Sequence, residues 1–278
     1  VTLGANDLTI TAATGRFDGV ISGTGGLTIA GGSQELGGTN TLTGAVAIAN
    51  GATLSLMNSG SVAAAVRVVA DGTFNLAGQT SGNVRINSLS GNGTVALAAN
   101  RLTLTAAADS FGGTIGGTGG LTVAAGTQTL TGINSYTGTT VVAANAGLVL
   151  AGAGSIAASR SVTVDGSFDI AGVTAEARIT ALGGSGAVNL GSRTLVVTAA
   201  DRLFAGDIAG AGNLTVAGGT QQLSGTNRLT GVVTVADGAA LHLIGSGSIA
   251  NAAGLVANGV FDIAGTNAGA SLVSLGGN

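Results

Sequence analysis

Short alternating runs dominate this chain: Leu8-Thr9-Ile10, Leu27-Thr28-Ile29, Leu102-Thr103-Leu104, Leu121-Thr122-Val123 and Val162-Thr163-Val164. Successive side chains of a strand point to opposite faces, so each run predicts a short strand with its aliphatics inward and its threonine outward. A ladder of aliphatic positions opens at Ile21, Leu36, Leu56, Leu76 and Leu97. It returns as Ile115, Leu130, Leu150, Ile170 and Leu190, and starts again at Ile208, Leu223, Leu243 and Ile263. Steps of about twenty residues inside a period of about ninety-four predict a chain that winds around one axis and stacks like on like. The expected fold class is all-β, a parallel β-helix (β-solenoid) of about 14–15 rungs of roughly 19–20 residues. At roughly 4.8 Å per rung that is a rod on the order of 70 Å long.

Between the strands stand corner dipeptides: Asn50-Gly51, Asp71-Gly72, Asp165-Gly166, Asp237-Gly238 and Asn258-Gly259. They are expected to supply the positive φ that a tight corner needs. The same pairs could close β-hairpins, but hairpins of three-residue strands would not hold one phase along the whole chain.

The long period is visible by eye. Gly23–Gly44, Gly117–Gly138 and Gly210–Gly231 read GTGGLTIAGGSQELGGTNTLTG, GTGGLTVAAGTQTLTGINSYTG and GAGNLTVAGGTQQLSGTNRLTG, at offsets of 94 and 93 residues. The chain therefore reads as one continuous solenoid over 1–278, in super-repeats of approximately 1–94, 95–187 and 188–278.

Composition narrows this picture. Glycine supplies 52 of 278 residues, while proline, cysteine, tryptophan and lysine are absent. So much glycine with so little charge could signal disorder, but the aliphatic content is too high for a solvated coil. Absent proline suits stacked strands, where every interior N–H is needed. Absent cysteine removes disulfides, thiolate metal sites and cysteine nucleophiles. A net charge of −3 offers no basic footprint for nucleic acid. Very short strands with one tyrosine and no tryptophan do not suit a transmembrane barrel, so no membrane insertion of this segment is expected.

Three sets of residues recur with the long period. Phe17, Phe111 and Phe204, and Phe74, Phe168 and Phe261, hold all six phenylalanines; they are expected to plug the core rather than stack on sugars. Gln34, Gln128 and Gln221 fall on the inward face, where a buried amide must find carbonyls or amides of neighbouring rungs. Asn40, Asn134 and Asn227 follow a corner glycine by two residues and are expected to bond their own backbone.

The run from Gly117 to Val142, Gly-x-Gly-Gly-Leu-Thr-Val…Leu-x-Gly-x-Asn-x-Tyr-x-Gly-x-Thr-x-Val, resembles the passenger-associated repeat of bacterial autotransporters. Tyr136 of that pattern is Leu42 and Leu229 in the other copies, and the motif covers about a quarter of each copy. The resemblance implies a right-handed parallel β-helix displayed outside a Gram-negative cell, extracellular or on the outer surface. Such passengers act as adhesins, aggregation factors or stalks, and usually carry a C-terminal translocating barrel.

Parallel β-helices also include polysaccharide lyases and hydrolases, so a carbohydrate-active enzyme is the alternative reading. Those enzymes cluster carboxylates on one face. Here the acids are Asp7, Asp18, Glu35, Asp71, Asp109, Asp165, Asp169, Glu176, Asp201, Asp207, Asp237 and Asp262, and no two are eighteen to twenty-one residues apart. Asp169 and Asp262, equivalent in two copies, are expected five rungs apart, about 24 Å. His242 is the single histidine and replaces Ser55 and Val149; alternation between Leu241 and Leu243 puts it outside. No G-x-S-x-G elbow and no calcium nonapeptide is present, and GTGG stands in no strand-to-helix context that would cradle a phosphate. Thr9/Thr11 and Thr103/Thr105 have the Thr-x-Thr spacing of ice-binding solenoids, but Val196/Thr198 breaks it.

No catalytic, cofactor-binding or metal-binding residues are therefore assigned, no cofactor is expected, and the chain is not expected to be an enzyme. The expected function is a structural or adhesive extracellular rod, a segment of a longer repetitive protein. Its partners would be neighbouring copies of the repeat, in one chain or stacked head to tail as a filament. Host or sister-cell surfaces or glycans are further expected partners, held by avidity along the threonine faces.

Overall fold

The computed structural model describes all 278 residues, Val1–Asn278, as two compact units, Val1–Gly138 and Thr139–Asn278. There is no helix, the sheets are parallel, and the chain makes stacked coils of a β-solenoid.

In the first unit the chain visits three walls in rotation. One wall holds Leu8–Ile10, Leu27–Ile29, Val46–Ile48, Val68–Ala70 and Leu89–Ser90. The second holds Arg16–Phe17, Ser33–Leu36, Thr53–Leu56, Thr73–Asn75, Thr94–Ala98 and Thr114–Gly117. Between them run Ser22–Gly23 and Thr41–Leu42 and, further along, Asn83–Ile86, Arg101–Leu104 and Leu121–Val123. In-register partners are eighteen residues apart at Asn83/Arg101, nineteen at Leu27/Val46, twenty at Thr53/Thr73 and twenty-one at Thr73/Thr94. Each copy also contains a turn of twenty-two residues, at Val46/Val68, Val141/Thr163 and Val233/Leu255. These longer turns bring the total to about 13, against the 14–15 that an even pitch implied.

Alternation places the side chains as the sequence indicates. Leu27 and Ile29, Leu121 and Val123, and Leu214 and Val216 are all fully buried, with the threonine between each pair on the other face. Full burial of one such aliphatic is worth roughly 1.5–3 kcal/mol, and this apolar interior is what holds the coils. Of the fourteen ladder positions only Ile263 is exposed, at 39%.

The ladder is nevertheless not one column. Ile115 stacks on Val95, and Leu130 on Phe111; in the second unit Ile208 stacks on Val188, and Leu223 on Phe204. The fifteen-residue steps from Ile115 to Leu130 and from Ile208 to Leu223 therefore change wall rather than climb one. A copy is not a whole number of turns. Leu27–Ile29 and its counterpart Leu121–Val123 lie in different sheets of the first unit, and Ser167–Val173 and Val260–Thr266 lie in different sheets of the second. Like does not stack on like between these copies. Asp169 and Asp262 consequently stand on different walls, not on one line five rungs long.

The corner glycines divide into two kinds. Gly51 and Gly238 have φ of 79° and 74°, the left-handed region where a side chain is costly. Gly72, Gly166 and Gly259 do not have positive φ, which corrects the reading of their Asp-Gly and Asn-Gly pairs. Their missing Cβ is needed because carbonyls crowd the site: Ala49 and Ala52 at Gly72, Ala143 and Ala146 at Gly166, Ala236 and Ala239 at Gly259.

Candidate functional site

The recurring polar residues are structural joints. Asn40 Oδ1 accepts the N–H of Ile21 one turn back (2.9 Å), while its Nδ2 donates to Gly38 O and, one turn on, to Ser61 O (both 3.0 Å). Asn227 repeats this with Ile208 N, Gly225 O and Ser248 O, and Asn134 bonds Ile115 N and Gly132 O in the same way. Own-backbone bonding was legible in the sequence. The larger role is a clamp across successive turns, in which a buried Asn uses both N–H donors and accepts one bond at Oδ1.

The glutamines sit inside. Gln128 Nε2 donates to Leu89 O, Asp109 O and Thr129 O, each at 3.0 Å, and Gln221 Nε2 to Leu182 O, Arg202 O and Gln222 O. Both side chains are fully buried. Gln34 makes the corresponding bonds to Gly15 O and Glu35 O. Phe74, Phe111, Phe168 and Phe204 are fully buried plugs, whereas Phe17 and Phe261 are half-buried. The rings of Phe17, Phe111 and Phe204 cover Gly19, Gly113 and Gly206, two residues on, where a Cβ would strike the ring tip.

The carboxylates are spread over corners rather than gathered. Asp165 Oδ1 accepts Ser185 N (3.1 Å) and Ser185 Oγ (3.3 Å). Asp169 accepts Ala171 N (2.7 Å) through Oδ1 and Asn189 Nδ2 (2.9 Å) through Oδ2. Asp7, Asp71 and Asp207 each accept a backbone N–H one turn on, from Gly26, Asn92 and Arg228. Sequence reasoning treated Asp-Gly as a signal for φ alone and missed this stitching, although an acid at a corner facing the N–H of the next turn was the available sign. No group of three or more His, Cys, Asp or Glu stands together in a way that could hold a metal ion. The groove lined by Ala13, Thr14, Gly15, Arg16, Ser33 and Glu35, about 570 Å³, has one carboxylate in its wall.

His242 is half-buried on the outer side of its strand, in register with Gln222 and Asp262. The hydroxyls of the second Thr-x-Thr pair are engaged with the preceding turn, Thr103 donating to Asn83 Oδ1 (2.7 Å) and Thr105 to Asn87 Oδ1 (2.8 Å), and Thr198 of the third copy likewise donates to Ile179 O (3.2 Å). Tyr136, Leu42 and Leu229 are all core residues, so the tyrosine of the motif is a packing position. Five arginines form ion pairs, Arg16–Asp18, Arg67–Asp109, Arg178–Glu176, Arg202–Asp201 and Arg228–Asp207.

No protein-family model, no curated protein and no solved structure matches the chain. The class that the fold defines is a parallel β-solenoid built from long repeats.

Proposed function

We propose that this chain is a structural and adhesive segment of a longer repetitive protein exposed outside a Gram-negative cell, of the autotransporter-passenger kind, and that it is not an enzyme. The observation that carries this reading is the sameness of the joints between copies. In the first unit Phe74, Val95 and Ile115 stack in register; in the second Phe168, Val188 and Ile208 do the same. Copies add through ordinary turn-on-turn contacts, so a chain can lengthen by whole copies without any new kind of interface. Its natural partner is then another copy of the repeat, in the same chain or in a head-to-tail stack.

The polar inventory supports the same reading. The periodic Asn and Asp side chains and the Gln amide nitrogens are occupied in joining turns, which is what a mechanical element requires, while Oε1 of Gln128 and of Gln221 is buried without a donor. Cell surfaces or glycans are the outer partners. Because equivalent strands of successive copies face different ways, adhesive contacts would be distributed around the solenoid rather than lined up on one flat face.

Beads coated with the purified chain test this reading: they should clump with one another or retain bacterial or host cells, and the chain should leave uronate polysaccharides intact. Saturable cleavage of such a polysaccharide, lost on Asp165→Asn or Asp169→Asn, would replace it with the enzyme reading.

A further inference from the structure

We infer that the outer face around Arg85 and Arg101 in the first copy is a binding site for an anionic saccharide, one bearing sulfate or carboxylate groups. Arg85 lies on strand Asn83–Ile86 and Arg101 on the next turn, with Asn83 opposite Arg101 and Arg85 opposite Thr103. The two arginines are thus diagonal neighbours on adjacent strands, about 7–8 Å apart at the backbone, and both are exposed. Between them Thr103 donates to Asn83 Oδ1, which leaves the Asn83 amide N–H groups free to donate outward.

Charge makes this place unlike its counterpart. In the second copy the strand reads Glu176-Ala177-Arg178-Ile179, and Glu176 is paired with Arg178. The residue that precedes Leu195 there, facing that strand, is Thr194. The first copy has Asn83 in place of Glu176 and Arg101 in place of Thr194, so the carboxylate is lost and two guanidinium groups stand without one; the second copy's other nearby arginine, Arg193, is turned to Thr174 O. Neither Arg85 nor Arg101 belongs to any of the five ion pairs, and the nearby Arg67 is already held by Asp109. On a chain of net charge −3, two adjacent unpaired arginines are a local exception rather than part of a general polyanion attraction.

A shallow groove of about 190 Å³ runs from this patch toward the preceding turn, lined among others by Ser59, Ser61, Gln79, Ser81, Asn83 and Arg85. Its wall is mixed, with Gly60, Ala63 and Val84 among the hydroxyl and amide groups and no aromatic ring; Gln79 and Ser81 are held by bonds to Gly60 O and Asn83 O. Guanidinium forks match the planar or tetrahedral oxygens of carboxylate and sulfate. Hydroxyl and amide groups beside them match sugar hydroxyls.

The inference gives the adhesive reading a ligand class, but a soluble oligosaccharide tests it without regard to whether the chain serves as a stalk. Calorimetric titration of the whole chain at low ionic strength would compare a heparin-derived hexasaccharide, its desulfated form, an oligogalacturonate and inorganic sulfate. One site per chain is expected for the sulfated or the uronate oligomer, weakened by added salt. Arg85→Ala and Arg101→Ala should each lower the affinity at least about tenfold, since a charge-assisted hydrogen bond is worth about 1.5 kcal/mol or more. Asn83→Glu, which supplies the carboxylate that the second copy has, should abolish binding. All three positions are exposed, so the circular dichroism spectrum and melting curve should not change. Absence of binding by every oligomer, binding that survives Asn83→Glu, or equal affinity for free sulfate and the oligosaccharides would overturn the assignment.

Discussion

The two joints between copies, one in each unit, differ in an instructive way. At the first, strand Thr94–Ala98 runs into the corner Ala98-Ala99-Asn100; at the second, Ala187–Asn189 runs into Gly191-Ser192-Arg193. The side chains share little, yet Ala98 has φ of 52° and Gly191 of 56°. Each corner closes with the same bond, Asn100 N to Leu97 O (3.0 Å) and Arg193 N to Leu190 O (2.9 Å). What the repeat preserves is a backbone angle, and the first joint holds it with an alanine, for which the left-handed region costs about 1–2 kcal/mol. Beside Ala98 the first joint has the tighter anchor: Asn100 is buried, and its Nδ2 donates to Leu76 O at 2.8 Å, whereas Arg193 reaches Thr174 O only at 3.5 Å.

This comparison can be broken at several levels, each read by urea denaturation of the intact chain. The largest effect belongs to the plugs. Phe74→Ala and Phe168→Ala should each cost about 3–5 kcal/mol; a small loss at one and a large loss at the other would mean that the joints are not equivalent. Next come the anchors. Asn100→Ala should cost about 0.5–1.5 kcal/mol by removing the Nδ2 bond to Leu76 O, which keeps the N–H of Gln79, whereas Arg193→Ala, at the same corner of the other joint, loses only a long bond to Thr174 O and should stay within about 0.5 kcal/mol. The smallest effect isolates the angle itself. Ala98→Gly should stabilise by about 0.5–1 kcal/mol, the relief of the left-handed strain less the freedom glycine loses on folding; Gly191→Ala adds a contact of 2.5 Å with Ala171 Cβ and should destabilise by more than the about 1–2 kcal/mol of the angle. If Ala98→Gly destabilises instead, the corner is held by the methyl group and not by the angle.

Much of this fold was legible in the sequence, because strand alternation and the twenty-residue spacing are direct consequences of a turn that must bury one face. The Phe plugs and the inward glutamines followed from the same phase. The wall on which each strand lies was not legible. A ladder of aliphatics looks continuous whether it climbs one wall or slips to the next, since Val95 and Leu97, or Phe111 and Ile115, are equally apolar. The corner acids were misread for a related reason: an Asp beside Gly satisfies a turn rule locally, while its actual partner, such as Ser185 for Asp165, is a turn away. The Arg85–Arg101 patch was hidden because two residues sixteen apart in the chain become diagonal neighbours only once the turn is known to be eighteen residues long.

The wall assignment is the central claim, and the absence of cysteine allows it to be tested cleanly with introduced pairs. Ser110 and Thr129 are in-register partners on adjacent turns, within the Cα separation of about 4.4–6.8 Å that a disulfide spans. Thr114 would instead lie beside Thr129 if the aliphatic ladder were one column, but in this fold it pairs with Thr94. Mild oxidation of the intact chain should therefore close a disulfide in the Ser110→Cys/Thr129→Cys variant and none in Thr114→Cys/Thr129→Cys. A bridge between 114 and 129, with 110 and 129 remaining free thiols, would contradict the account.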